Sequence, residues 1–462
     1  MKKKTLKKKL AKIVSGIRRY RRLCGSRGFR GQVDFLSAGL ILAAALVILG
    51  SSLFSASPFE KKIRTLTDKF TPELINLRRD LHCHPELGLQ EKRTSALVAE
   101  YFRKLGLEVR TGYAVTGVVG ILKGGRPGPI VGMRGDMDAL PITEETGLPF
   151  ASKVKAVVEG REVGLMHACG HDIHTTVLLG VAAVLTGIRE ELPGTVLFIA
   201  QPGEECCGGA EKMIQEGAFK DYKPQAFWAY HVDDTLKAGF IGYTQGFACA
   251  NVDGFTLVIK SKGCHGSTPF LCVDPIVVSA QVVTALQVLV PREIDTRNHT
   301  VITVGYFHSG TAPNIIPESA ELRATVRNYG DNQRQILKDK ITRLVTNICE
   351  AAGASFDLNY EFGSPSMYTD PGLLKEVLAT SERVLGSKSA LVEEQPEMGG
   401  EDFSYFGKIA PSVMLGLGVI PKDIDKTAVH SPTFVADEDS IPIGVNLMAN
   451  IIADYQTRHA KK

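Results

Sequence analysis

Thr195-Val196-Leu197-Phe198-Ile199-Ala200 runs straight into Gln201-Pro202-Gly203-Glu204-Glu205. The run is too short for a helix of ordinary length, and it lacks the polar alternation of a half-exposed strand. It therefore reads as a strand covered on both faces. The same design recurs along the chain. Ile130-Val131-Gly132-Met133 leads to Arg134-Gly135-Asp136-Met137-Asp138, and Ala226-Phe227-Trp228-Ala229-Tyr230 leads to His231. Val413-Met414-Leu415-Gly416-Leu417 precedes His430. Helical patterns intervene, notably from His174 to Glu191. Buried strands alternating with helices predict an α/β fold with a mostly parallel central sheet. In such sheets the site lies beyond the carboxyl ends of the strands, which is where these polar residues fall.

Outward from that sheet, Thr71-Pro72-Glu73 reads as a helix start, with Thr71 as cap, Pro72 in the first turn and a linker from Pro58 to about Phe70. Thr94 to Leu105 reads as a second helix. Residues 250–364 follow a different order. Strand-like Phe255–Lys260, helical Ile276–Val290 and strand-like Thr300–Tyr306 come first. Strand-like Glu321–Arg327, helical Asp331–Ala352 and strand-like Ser355–Tyr360 follow. This β-α-β-β-α-β order predicts a two-layer α+β domain inserted between catalytic segments 65–249 and 365–460.

The chain has 462 residues, 44% hydrophobic and 23% charged, and its formal net charge is +4. Chains of this length usually form two or more domains. Residues 1–34 hold 13 basic residues and one acid, leaving 41 basic and 49 acidic residues elsewhere, a net of −8. The basic excess belongs to a tail, so a nucleic-acid-binding body gains no support. Nine cysteines in such a length are no disulfide framework. Cys206 and Cys207 are adjacent and poorly placed to bridge each other, so thiols or a metal ligand are expected.

Between Phe35 and Phe59 there is no charge, and about 20 apolar residues span a bilayer as a helix. Residues 35–57 are expected to form a single-pass signal anchor, with the basic N-terminus cytoplasmic. A cleaved signal peptide ending near Ser55-Ala56-Ser57 is one alternative, leaving the body exported. An organelle-targeting segment is another.

The densest chemical cluster is Met166-His167-Ala168-Cys169-Gly170-His171-Asp172-Ile173-His174. Cys169 and His171 stand two apart, so both can reach one ion, and thiolate with imidazole suits zinc and other first-row metals. Asp172 reads as a helix cap or as an orienting partner for a ligand imidazole. Glu204 and Glu205, adjacent at a strand end, point different ways. One can ligate metal while the other faces a metal-activated water and takes its proton. His231 and His430 are weak signals by themselves. Asp136 and Asp138 alternate at a strand end and read as metal support or a turn. His265, in Gly263-Cys264-His265-Gly266-Ser267-Thr268-Pro269, reads as a histidine reaching into a cleft or as an exposed loop residue.

Taken together, the motifs resemble the amidohydrolase branch of the metallopeptidase-like aminoacylase family, which includes hippurate hydrolases, N-acyl-amino-acid amidohydrolases and indoleacetate–amino-acid conjugate hydrolases. The resemblance covers about Leu77 to Ile451. It rests on Arg78-Arg79-Asp80-Leu81-His82-Cys83-His84-Pro85-Glu86, Gly135-Asp136-Met137-Asp138-Ala139-Leu140-Pro141 and the Cys169–His174 run. Gln201–Glu205, Gly310-Thr311-Ala312-Pro313-Asn314-Ile315-Ile316-Pro317, Met398-Gly399-Gly400-Glu401-Asp402-Phe403 and His430-Ser431-Pro432 complete it.

The resemblance implies that Cys169, His171, Glu205, His231 and His430 ligate one or two divalent ions, manganese or zinc first and cobalt as a further option. It implies Glu204 as general base and His265 as the group that polarises the carbonyl or stabilises the oxyanion. It implies Asn314 as a substrate contact, and Asp138 and Asp402 as support behind the ligands. His82, His84 and Glu86 are expected to be structural. The implied architecture is a metal-binding α/β domain with an inserted lid or dimerisation domain, through which two copies can pair. Cys206-Cys207 departs from the small residues common at that place, and Phe270 stands where many relatives carry histidine.

The expected reaction is hydrolysis of the amide bond of an N-acyl amino acid. The rivals are a carboxypeptidase or dipeptidase on the same scaffold and a catalytically silent, membrane-tethered binding protein.

Overall fold

The computed structural model describes residues 58–460. Residues 1–57, which carry the expected basic tail and membrane span, lie outside the described residues. The first element, α1, runs Glu60–Cys83 and contains Pro72. The expected linker is therefore helix, and Thr71 is no cap, since its hydroxyl donates to the Thr67 carbonyl at 2.8 Å. The reason is packing. Phe59, Ile63, Thr67, Leu74, Arg78 and Leu81 form a buried stripe, while Pro72 and Asp68, whose carbonyl receives no N–H from the proline, sit on the exposed side.

Helix α2, Lys92–Lys104, follows. Strands β1 (Glu108–Tyr113), β2 (Gly117–Lys123) and β3 (Arg126–Asp136) precede α3, His171–Thr186. Next come β4 (Pro193–Gln201), β5 (Phe227–Lys237) and β6 (Ile241–Tyr243). The intervening unit supplies β7 (Asn251–Lys260), α4 (Pro275–Glu293), β8 (Thr300–Ser309), β9 (Ser319–Asn328), α5 (Asp331–Ala352) and β10 (Ser355–Phe362). Helix α6 (Pro371–Leu385), β11 (Leu391–Glu393), β12 (Ser412–Ile420) and α7 (Ser440–His459) return to the first unit.

The large sheet has the order β1-β2-β4-β3-β5-β12-β6-β11. It is mixed. The pairs β3/β4, β3/β5, β5/β12 and β6/β11 are parallel, whereas β1/β2, β2/β4 and β6/β12 are antiparallel. Both faces are covered. On β4, Val196, Phe198 and Ala200 face the helical core of α1, α2, α3 and α7, while Leu197 and Ile199 join Phe403, Phe406, Ala210 and Met213 on the other side. That is why β4 shows no polar alternation in sequence. Helix α3 is buried from His171 to Leu185, apolar nearly all round, because it lies between the sheet and the helices α1 and α7.

The intervening unit forms a separate four-stranded antiparallel sheet, order β8-β9-β7-β10. Strand β7 alternates in burial. Phe255, Leu257 and Ile259 pack with Val278, Val282 and Leu286 of α4 and with Leu337, Ile341 and Val345 of α5. Helix α4 is long and apolar enough to cross a membrane by length and composition alone, yet its Val278, Val282, Leu286 and Leu289 are buried in this core.

The cysteines correct another expectation. Cys206 and Cys207 are joined to each other, and Cys264 is joined to Cys272. Adjacency did not prevent pairing: the bond joins the last two residues of the one-turn helix Glu204–Cys207, which Gly208 ends in the left-handed region.

Candidate metal centre and catalytic site

Cys169 and His171 flank Gly170, which opens α3 with φ +74. A Cβ there would lie 2.8 Å from the Val232 methyls, so only glycine permits the turn to pack against β5. The Cys169 Sγ lies 3.4 Å from His231 Nε2. His231 Nδ1 bonds the Val232 carbonyl at 2.7 Å, which leaves Nε2 to face the sulfur. His231 was expected to end its strand, but β5 continues to Lys237 and holds the imidazole within the sheet.

Glu204 and Glu205 lie in a one-turn helix rather than at the strand end itself. Gly203 makes the turn at φ +59, its N–H donating to Glu91 Oε1 at 2.9 Å. Asp138 holds the next two amides, Glu204 N at 3.1 Å and Glu205 N at 3.0 Å. The same Asp138 carboxylate lies 3.3 Å from His171 Nδ1. One buried acid therefore fixes the glutamate turn and also lies against the His171 ring.

His430 comes from the loop between β12 and α7. Its backbone has φ +59, outside the ordinary range for a residue with a Cβ, and its N–H donates to the Ala168 carbonyl at 2.8 Å. Its Nε2 reaches to 3.1 Å from Glu205 Oε1. His171 Nε2 is 3.9 Å from the same oxygen.

Among the described residues these side chains form the donor groups Cys169 with His171 and His231, Cys169 with Glu205 and His430, and His171 with Glu204 and Glu205, and His171 also stands with Asp136 and His174. Within each, the ligand atoms lie within 4.8 Å of one another. Cys169 is common to the first two. His171 Nε2 is buried without an aligned hydrogen-bond partner, as expected of an atom meant for an ion. Thiolate, imidazole and carboxylate together fit zinc, manganese or cobalt. His174 does not fit, because Asp136 Oδ1 takes its Nδ1 at 2.6 Å and the Val232 N–H occupies its Nε2 at 2.8 Å.

The electrostatics separate the two glutamates. Burial, then Glu401 and Asp402, push the Glu204 carboxyl well above its usual range. Glu205 is also penalised by burial, but the His430 hydrogen bond and His171 bring it below normal. Burial opposes ionisation of Cys169, yet His231 and His171 outweigh it and bring the thiol to about 6. Burial likewise opposes charge on His231, and Cys169 overcomes it, raising the imidazole to about 10. Both shifts mark a place where positive charge is drawn to a thiolate.

Behind this cluster is a network that sequence reading largely missed. Arg134 is fully buried and bonds Asp136 at 2.7 Å, Glu401 at 2.9 Å, Asp402 at 3.1 Å and Gln201 at 2.9 Å. Asp402 also accepts from Gln201 Nε2 at 2.7 Å and from the Ala210 amide at 3.1 Å. Burial, against Arg134 and with Glu401, raises the Asp402 carboxyl to about 7. Glu401 joins Glu204 and Asp402 in a further donor group. The signals were Arg134 at a strand end and the acidic pair in the Met398–Phe403 motif.

Asp172 neither caps α3 nor orients a ligand. Gly170 occupies the cap position, and Asp172 Oδ2 bonds Arg78 Nε and His82 Nδ1, both at 2.8 Å. His84 is exposed and bonds its own helix at the Asp80 carbonyl. Glu86 accepts from the amides of Arg93 at 2.9 Å and Thr94 at 2.8 Å, capping α2.

His265 and Asn314 are brought near each other, but not into this cluster. His265 pairs with Ile315 in a two-residue ladder, and Gly266 N donates to the Asn314 carbonyl at 2.8 Å. Both side chains are exposed on the unit built from β7–β10. Phe270 beside them is 82% exposed.

Residues 132–454 match the model of peptidase family M20/M25/M40. Thermostable carboxypeptidase 1 of Saccharolobus solfataricus is 38% identical, over 83% of this chain and 96% of the relative. N-acetylcysteine deacetylase of Bacillus subtilis is 35% identical, over 84% and 98%. IAA-amino acid hydrolase ILR1-like 2 of Arabidopsis thaliana is 35% identical, over 92% and 96%. The crystal structure of Bacillus subtilis YXEP protein, a dinuclear metal binding peptidase from the M20 family, superposes with a TM-score of 0.73 at 33% identity, covering 84% of this chain and 99% of that one. With its family match and these likenesses over most of its length, the chain belongs to peptidase family M20/M25/M40, in its amidohydrolase branch.

Proposed function

We propose that this metal-dependent amide hydrolase cleaves the bond between an acyl group and an amino acid, with Glu204 as general base. The observation that carries the reading is the convergence of thiol, imidazoles and carboxylates from distant segments on one place, with Glu204 beside Glu205 on a turn held by Asp138. Cys169, His171, Glu205, His231 and His430 would hold one or two divalent ions, manganese, zinc or cobalt. Such an ion supplies Lewis-acid polarisation of the carbonyl and a water acidic enough to deprotonate near neutrality. Glu204 accepts the water's proton and returns it to the leaving amine. Asp138 keeps Glu204 and His171 aligned, and Asp402 with Arg134 supports the acidic wall behind them. His265 and Asn314 reach the substrate after the lid closes over the cluster, His265 donating to the oxyanion. The test is a screen of acetyl, benzoyl and indoleacetyl amino acids on metal-free protein reconstituted with each ion. No turnover of any acyl amino acid with any ion would overturn the reading.

A second reading, cleavage of dipeptides or of a peptide's carboxyl-terminal residue, has its own support. The cavity of about 260 Å³ at the cluster is lined by Asp233, Asp234, Glu394 and Glu397, and no lysine or arginine among the described residues lines it. A substrate carrying a free amine suits that lining better than an apolar acyl group. Assaying a dipeptide against its N-acetyl derivative separates the two readings, because acetylation abolishes the cation and leaves the scissile bond intact.

We further propose that the body works in an oxidising compartment, anchored or exported through residues 35–57. Two cystines in the body support this. Pairing of two copies through the inserted domain is supported by the exposed Ile276, Val277 and Val288 on α4, and light scattering in solution tests it.

A further inference from the structure

His265 projects from a loop that begins at Cys264 and ends at Cys272, and a disulfide joins those two residues across a Cα separation of 5.9 Å. The loop has little core of its own. His265, Gly266, Ser267 and Pro269 are exposed, as are Phe270 at 82% and Leu271 at 63%. Loops with so few buried contacts are ordinarily mobile. Here the restraints are local. Ser267 directs both its N–H, at 3.1 Å, and its hydroxyl, at 2.7 Å, onto His265 Nδ1. Thr268 N donates to the His265 carbonyl at 2.9 Å, and Leu271 N to the Thr268 carbonyl at 3.1 Å. On the other flank, Cys264 and His265 pair with Ile316 and Ile315.

The Ser267 amide can only donate, so Nδ1 is the acceptor. In a neutral imidazole the proton then sits on Nε2, which turns the free end of the ring into a donor. That is the form needed to stabilise an oxyanion. The covalent tie and the serine act on the same side chain, one fixing the loop that carries it and the other fixing which nitrogen bears hydrogen.

We infer that the Cys264–Cys272 disulfide and Ser267 are positioning elements that hold His265 as an Nε2–H donor, so that full turnover requires this disulfide intact. The inference rests on the reading that His265 stabilises the oxyanion. A phosphine reductant would undo the tie. The phosphorus takes one oxygen from water and becomes a phosphine oxide, the S–S bond breaks, and the two hydrogens of that water end on the Cys264 and Cys272 thiols.

The test uses the full chain loaded with the ion and acyl amino acid that give the fastest turnover. Cys264→Ser/Cys272→Ser, Ser267→Ala and His265→Ala are compared with the unchanged protein for kcat, KM, metal content and thermal midpoint. His265→Ala is expected to lower kcat about 100-fold or more. The double serine variant should lower kcat about 10- to 100-fold with KM and metal content little changed, because a misplaced donor costs rate rather than binding. Ser267→Ala, which keeps the backbone donor, should lower kcat less and shift the pH profile of kcat. Phosphine should slow the unchanged protein and leave the double variant's rate as it was, which separates this cystine from Cys206–Cys207. If the double variant and Ser267→Ala both keep kcat within about twofold while His265→Ala is impaired, the inference is overturned and the reading of His265 stands. If His265→Ala is fully active, that reading fails first. Should the double variant not fold, the Ser267→Ala pH profile decides alone. Alkylation of Cys264 and Cys272 in unreduced protein would also overturn the inference.

Discussion

Glu204 and Glu205 are neighbours with opposite environments, the first raised by burial, Glu401 and Asp402, the second lowered by His430 and His171, and the proposed roles of base and ligand can be tested one residue at a time. Glu204→Gln keeps the shape and removes the basic oxygen, so turnover should fall by about 100- to 10,000-fold while bound metal, counted by elemental analysis, stays unchanged. Cys169→Ala should do the reverse, losing metal first, since two donor groups share that sulfur. Asp172 offers a test that bears on stability rather than chemistry. Burial opposes its ionisation, but Arg78 and His82 hold it well below the usual carboxylate range. A depressed carboxyl stabilises the fold above its unfolded value, about 4, and that contribution is lost as pH falls below it. Asp172→Asn should therefore lower the thermal midpoint at neutral pH, and its midpoint should change less than the unchanged protein's on acidification. Breaking one partner of a buried pair typically costs about 3–5 kcal/mol.

At the scale of elements, β4 and α2 make separate predictions. Phe198 is fully buried between β4 and the helical core, so Phe198→Ala should cost about 3–5 kcal/mol in denaturant unfolding. Glu86 caps α2 through two backbone amides, and Glu86→Ala should cost about 1 kcal/mol without touching metal content. Sequence patterning served the strands well, because a both-faces-buried strand leaves an unbroken apolar run. It served α1 poorly. Pro72 looked like a beginning, but a proline on the solvent side of a long helix removes one exposed hydrogen bond while the buried stripe continues past it. His231 looked like a strand end for a similar reason, since polar residues beyond it gave no sign that pairing with β12 continues.

Across the whole molecule, the candidate metal centre joins segments far apart in the chain, from Asp138 to His430. An ion gripped there binds only the folded state, so chelation should lower the thermal midpoint as well as abolish activity, and adding a divalent ion should restore both. Ligand at 100 times its dissociation constant stabilises by about 2.7 kcal/mol, enough to see in a melting curve. In Cys169→Ala the chelator should move the midpoint far less.

Sequence alone determined the α/β class, the alternation of the inserted unit and the residue types of the donor set, because burial period and ligand chemistry are written locally. Only the tertiary structure decided that Asp138 grips the Glu204–Glu205 turn while lying against His171, that His174 is fully used by Asp136 and Val232, and that Arg134 lies beneath the acids. It also paired four cysteines that spacing had left as thiols, and it left His265 and Asn314 apart from the metal cluster. Those are questions of distance between segments remote in the chain, and distance is set by how strands order and helices pack, which no local pattern records.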